Sequence, residues 1–490
     1  MKFTTLGAAA LAAGGVSPRP SGDDPPSRTA GGASSAGSIR RETAARAGRG
    51  RPVRAGALLA AAALAVGMSA CGSSGSASGG GNSSAPGGST LTVADVAPFS
   101  GVDAALGPTY LVSCNGTVQA INNAGGVLGH KLACTSADTR GDPADAVPAV
   151  GSLLANTKSL SLVIGCTSDE AAAVVPVINS HKTVMFCMTG QSEFDSVKYD
   201  YFYRLVPPDL AESYAMTVIA QQLGYKRIAL AFGNDIGSQT FVQPAISAIK
   251  KAGLTMVANE TLDLHATTFR TEAQKIVSAH PDAIMTEALG SADPTLFSEI
   301  KQLNGGKVIP IIGTSAAISP AFYTASASAI GASTFASNFH ADNLVTATSG
   351  PAYDAFTKAL LAVKGKVNGA QTGNFTTYFT APGAVHLYDG INLAALAMVA
   401  AHSTDTAVWK PWIATIGDGV PGAVTVSSFA QGVADLKAGK KIRYVGPGGP
   451  TSFDAFHDSP GIFQIDTYSP SGAVNVSGNI TAAQLRSVSG

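Results

Sequence analysis

The chain has 490 residues, with 32 Lys and Arg against 32 Asp and Glu, and five Cys. Residues 1–71 hold nine Lys or Arg against three Asp or Glu, which leaves 23 against 29 for the remainder. That mildly acidic body offers no basic surface for nucleic acid, and its roughly 400 residues exceed what one core usually covers, so two lobes are expected.

Residues 1–70 read as a leader that is removed. Arg40, Arg41, Arg46, Arg49, Arg51 and Arg54 form a basic approach to the apolar run Ala55 to Met68. That run is too short to span a bilayer of about 30 Å as a helix, which makes it an export signal rather than an anchor. It ends at Met68-Ser69-Ala70-Cys71, the pattern of a lipobox, although Leu is commoner than Met at its first position. Gly72 to Ser89 follows with no large apolar residue, so residues 71–90 read as a lipidated Cys71 on a flexible tether. At about 0.8 kcal/mol per buried CH₂, stable anchoring takes more than one acyl chain. An ordinary secretory signal with an incidental Cys71 is the alternative.

Cys114, Cys134, Cys166 and Cys187 remain, an even number suited to two disulfides in an oxidising compartment, with three possible connectivities. Four buried thiols are the plainer reading. No C-x₂₋₄-C pair occurs and no His stands at ligand spacing, so no metal or other cofactor is expected.

From residue 91 strands alternate with helices. Strands are expected at Leu91 to Ala97, His130 to Ser136, Ser161 to Gly165 and Thr183 to Cys187. Helices are expected at Gly107 to Asn123, Ala144 to Asn156 and Asp169 to Ser180. The rhythm restarts with helix Ala211 to Leu223, strand Arg227 to Phe232, helix Ser238 to Ala252 and strand Thr255 to Asp263. It continues with helix Phe269 to Ala279, strand Ala283 to Glu287, helix Pro294 to Leu303 and strand Val308 to Ile312. Pro351 to Val363 and Ala384 to Ala401 read as helices, and Ile462 to Tyr468 as a late strand. This is the pattern of an α/β protein with two doubly wound parallel sheets, whose strand ends face one another and bind ligands there. After Thr90 no apolar run reaches 18 uninterrupted residues, so no membrane-spanning helix is expected in the body.

Several segments in order resemble type I periplasmic solute-binding proteins of ABC importers, those that bind branched-chain amino acids. They are Val93 to Gly101, Ala120 to Leu132, Asp138 to Ala144, Val163 to Gly165, Tyr203 to Asp209, Ala231 to Gly237 and Gly446 to Phe453. The resemblance covers about residues 91–475 and implies two lobes joined by three crossovers. Residues 91–208 plus 340–440 would form lobe 1, and 209–339 plus 441–490 lobe 2. It further implies capture of a solute by lobe closure, delivery to an ABC permease, a monomeric state and an extracytoplasmic location. In this fold the first helix packs on the second strand, and the third and fourth strands lie side by side. The pairing expected is therefore Cys114–Cys134 and Cys166–Cys187.

The resemblance also implies a site. The family holds a ligand carboxylate with hydroxyls and N–H groups after the third and fourth strands. Here those positions carry Thr167 and Ser168 at a helix N-terminus, then Thr189 and Gln191. Plain N-capping would use the same Thr and Ser. Ser100, in the loop after the first strand, joins the expected contacts. Asp209 matches an aspartate that binds the ligand's ammonium, or merely caps its helix. An aromatic and an acidic residue of the family fall here near Leu289 and Ser315, so the ammonium side looks lost unless Glu287 replaces it. The ligand class expected is thus a small polar or carboxylate-bearing solute, an amino acid or a related compound.

No GxSxG, P-loop, HExxH or GxGxxG in context supports an enzyme. A lipid-anchored sensor of the same fold, signalling to a partner protein, is the remaining alternative.

Overall fold

The computed structural model describes residues 88–196 and 199–489. The leader and Cys71 lie outside the described residues. The described residues form one compact unit that holds both lobes.

The first sheet contains β1 (Leu91–Ala97), β2 (Leu132–Asp138), β3 (Leu160–Gly165), β4 (Met185–Cys187) and β5 (Phe202–Arg204). Its order is β2-β1-β3-β4-β5, parallel throughout. Parallel sheets covered on both faces read as apolar runs, and β3 does so with all residues after Leu160 buried. One core lies between this sheet and the helices Gly107–Asn123 and Pro382–Ala401. The latter is 20 residues long and apolar enough to cross a bilayer by length and composition, but it is buried inside the lobe.

The second sheet contains β6 (Arg227–Gly233), β7 (Thr255–Leu262), β8 (Ala283–Glu287), β9 (Ile311–Gly313) and β10 (Phe339–Leu344). After a small sheet of β11 (Val424–Val426), β12 (Ile442–Gly446) and β13 (Gly449–Pro450), the chain returns to add β14 (Phe463–Tyr468) and β15 (Val474–Ile480). The order is β15-β14-β10-β9-β8-β6-β7, with β14 and β15 antiparallel at the edge. Strands β6 to β10 are parallel.

Two of the lobe boundaries fall elsewhere than the sequence suggests. Strand β10 hydrogen-bonds into the second sheet, so the chain re-enters the first lobe after Leu344 and not at 340. Ile442 and Tyr444 of β12 sit in the first core, so that stretch runs past 440 and the return falls between β13 and β14. The helix expected over Ser238 to Ala252 is two, Ile236–Thr240 and Val242–Lys251. Pro244 lacks the N–H that would reach the Thr240 carbonyl, and its ring clashes there.

The disulfides are Cys114–Cys134 and Cys166–Cys187, with Cα atoms 6.2 Å and 5.3 Å apart. The second follows directly from the register Val163↔Met185 and Ile164↔Phe186, which brings the ends of β3 and β4 level. Arg204 at the end of β5 ties the returning chain to the first lobe. Its guanidinium is fully buried and donates to Asp458 at 2.7 and 2.8 Å and to Asp195 at 2.9 Å.

Candidate functional site

The ends of β3, β4, β8 and β9 open onto a cavity of about 110 Å³ between the lobes. One water needs roughly 10–15 Å³ by the same measure, so the space suits a small solute. The lobes touch across it: the Gly237 N–H donates to Asp169 Oδ1 at 2.7 Å. Apolar wall comes from Leu106, Met188, Val206, Phe241, Leu289 and Ile318.

Thr167 and Ser168 line the cavity. Gly165 at φ +97° and Cys166 at φ +57° turn the chain sharply, and helix Ser168–Ser180 starts at the cleft. The amide of its capping residue is already taken. The Thr167 N–H and hydroxyl donate to Glu170 at 2.9 and 2.5 Å, a reciprocal cap that the protein makes for itself. Ser168 Oγ lies 3.2 Å from Thr189 Oγ1, and Thr189 stands fully buried behind it. Gln191 is buried too, its carbonyl accepting from Arg204 at 2.9 Å and its Oε1 without a partner. Ser100 lies instead on a neighbouring cleft, where its hydroxyl donates to Asp138 at 2.6 Å.

Asp209 and Glu287 both line the cavity. The Thr240 hydroxyl donates to Asp209 Oδ2, and the Thr314 hydroxyl to Glu287 Oε2. Leu289 and Ser315 also line it, beside Glu287, the acid expected as their replacement. The Ser315 hydroxyl donates at 2.9 Å to Glu212 Oε1, which brings an acid of helix Asp209–Gln222 against the loop after β9.

Sequence reasoning missed four cavity acids: Asp103, Asp169, Glu212 and Asp235. Asp169 begins an expected helix and Asp235 stands inside a resembling segment, and nothing in the sequence aims either at a cavity. Asp235 does cap its helix, accepting from the Ser238 N–H at 2.7 Å through Oδ1, while its Oδ2 is buried without a partner. Among the described residues, six carboxylates therefore line the cavity and no Lys, Arg or His does. Burial is the main force on their titration. It pushes Asp209 up to about 8 and Glu212 to about 7, and raises Glu287 well above the usual carboxylate range. Asp103 is pushed up to about 10, first by burial and then by its contact with Asp169. Among the described residues no group of three or more His, Cys, Asp or Glu has the geometry to hold one metal ion.

A family model described as "Periplasmic binding protein" matches residues 90–408. A curated relative, Leu/Ile/Val-binding protein homolog 3 of Brucella melitensis, is 22% identical over 197 residues. That match covers 40% of this chain and only 53% of the relative, about half its length. The branched-chain amino acid transporter substrate binding protein LivJ from Streptococcus pneumoniae, solved with isoleucine, superposes with a TM-score of 0.62 at 19% identity. It covers 79% of this chain and 99% of its own. A solute binding protein of an ABC transporter from R. palustris, solved with 4-hydroxybenzoate, gives 0.59 at 19% identity over 80% of this chain and 96% of that one. At such identities the superpositions establish the shared bilobed fold, and the family model establishes descent: the chain belongs to the periplasmic binding protein family.

Proposed function

We propose that this protein captures a small solute between its lobes outside the cytoplasm and delivers it to an ABC importer. The observation that carries the proposal is the cavity closed by both lobes, with the Asp169–Gly237 hydrogen bond spanning them. The names of the relatives support it, being those of transporter binding proteins. In this reading Thr167, Ser168, Asp209 and Glu287 contact the solute, and Thr189 and Gln191 hold the loop behind Ser168. Two disulfides suit an oxidising compartment. Cys71 is the lipid anchor that keeps the protein beside its permease, and the chain acts as a monomer.

Two experiments test this. A thermal-shift screen of small solutes should find one that raises the melting temperature, by RT ln(1 + [L]/Kd), or about 2.7 kcal/mol at a hundredfold excess over Kd. Ser168→Ala should weaken that solute about tenfold to a hundredfold, the cost of one hydrogen bond to a charged group, without unfolding the protein. Cys71→Ala should move the exported protein from the membrane to the soluble fraction; an unchanged distribution rules out the anchor.

A further inference from the structure

We infer that residues 362–381 form a latch that holds the lobes together in the empty protein and lets go when the cleft opens. Its geometry stands by itself, and its consequence for solute entry rests on the capture reading. The segment joins helix Pro351–Leu361 to helix Pro382–Ala401, where a helix–helix connection usually takes about 2–8 residues. Its inner side belongs to the first lobe. Phe375, Tyr378 and Phe379, on the helical turn Phe375–Phe379, are buried with Phe356 and Tyr388 of the two helices. That much aromatic surface makes the segment move with its lobe.

Its outer side is tied to the second lobe. The hydroxyl of Thr377, a fully buried residue, donates at 2.9 Å to the Gly472 carbonyl in the turn between β14 and β15. Asn343 of β10 donates its amide to the Thr380 carbonyl at 3.0 Å. The Thr324 hydroxyl, on helix Pro320–Ile330, lies 3.3 Å from Gln371 Oε1. Gly472 is closely enclosed, since a Cβ built there would stand 3.0 Å from Asn374 Cγ and 2.6 Å from the Tyr323 ring. The Tyr323 hydroxyl donates to the Pro470 carbonyl at 2.6 Å and fixes that turn.

These ties lie at unequal distances from the pivot. Asn343 precedes Leu344, the end of β10, where the chain leaves for the first lobe. Gly472 lies past the far end of β14, about 20 Å of strand from the crossover that enters at Phe463. Rotation about the crossovers therefore shifts Thr380 little against Asn343 but carries Thr377 off Gly472. Both sides of the latch continue into the cavity wall. Thr380 leads to Ala381, Pro382 and Gly383, and helix Pro320–Ile330 starts from Ser319, all of which line the cavity. Release of the latch and opening of the cleft are thus one movement. The Thr377–Gly472 tie is a single neutral hydrogen bond, a factor of about five in that equilibrium.

The test is hydrogen exchange of the ligand-free protein, with the Gly237 amide bond across the cleft as a remote reporter. Thr377→Val removes the hydroxyl while keeping the shape of the side chain. It should speed exchange in peptides covering residues 234–241 about fivefold. Thr377→Ser, which keeps the hydroxyl, should match the parent protein. Strands β3 and β8, inside the two lobes, should exchange at the parental rate in both variants. Thr324→Ala changes only an exposed contact of the same latch, leaves the cores intact and should also speed exchange at 234–241. Unchanged exchange there in both Thr377→Val and Thr324→Ala overturns the latch. Equal acceleration in β3 and β8 also overturns it, because Thr377 would then be an ordinary core contact. So does a parent protein whose residues 234–241 are unprotected without solute, since its lobes would already stand apart. None of these readouts uses a solute. Faster exchange at 234–241 beside a solute screen that finds no binder would leave the latch standing and count against capture alone.

Discussion

Gly165 shows how tightly the site's backbone is specified. A Cβ built there would stand 2.4 Å from the Val96 carbonyl oxygen, and the residue sits at φ +97°. Gly165→Ala should therefore cost about 1–3 kcal/mol, read as a lower denaturant midpoint with an unchanged slope. The cavity acids make a second residue-level prediction. Asp209 and Glu212 have folded pKa values of about 8 and 7, raised first by burial, against about 4 in an unfolded chain. Asp209 faces the Thr240 hydroxyl, Glu212, Arg204 and Asp195; Glu212 faces Ser315, Asp209, Glu287 and Asp342. The folded state thus holds protons that the unfolded state has released. This contribution to stability is complete below pH 4 and is lost as pH rises through 7 and 8. The ligand-free protein should melt at a higher temperature at pH 5.5 than at pH 8.5. A flat or opposite trend would mean that these carboxylates are ionised within the cavity.

Elements were legible where burial followed a simple period. Strands β1 and β8 and helix Gly107–Asn123 fall where apolar spacing sets them. Strand β10 was illegible because polar residues break it on both faces: His340, Asp342 and Asn343 interrupt any apolar run, and Asn343 is satisfied at 2.7 Å by Asp466 on β14. The same illegibility moved the lobe boundary. Disulfide pairing was legible because sheet order fixes which cysteines can meet. Those links close loops with separations of 20 and 21 residues, each contributing roughly 3 kcal/mol in the chain-entropy model. Replacing Cys166 and Cys187 together by Ser should lower stability by about that amount. It should also weaken solute binding, since the bridge braces the loops that carry Ser168 and Thr189.

At the scale of the whole molecule, the cleft could be anticipated from two α/β lobes in tandem, but its charge could not. Glu212 lies on a helix and Asp103 in a loop, far in sequence from β8 and β9; only folding brings them around one cavity. The chemistry therefore depends on lobe closure, and so does the proposed function. Hydrogen exchange across the cleft tests this most directly. The Gly237 amide donates to Asp169 of the opposite lobe, a bond that opening must break. With whichever solute raises the melting temperature at saturation, peptides covering residues 234–241 should gain protection, while the helix Thr406–Trp409, remote in the first lobe, should not. Saturating binding with no added protection at 234–241 would contradict capture by closure of the lobes.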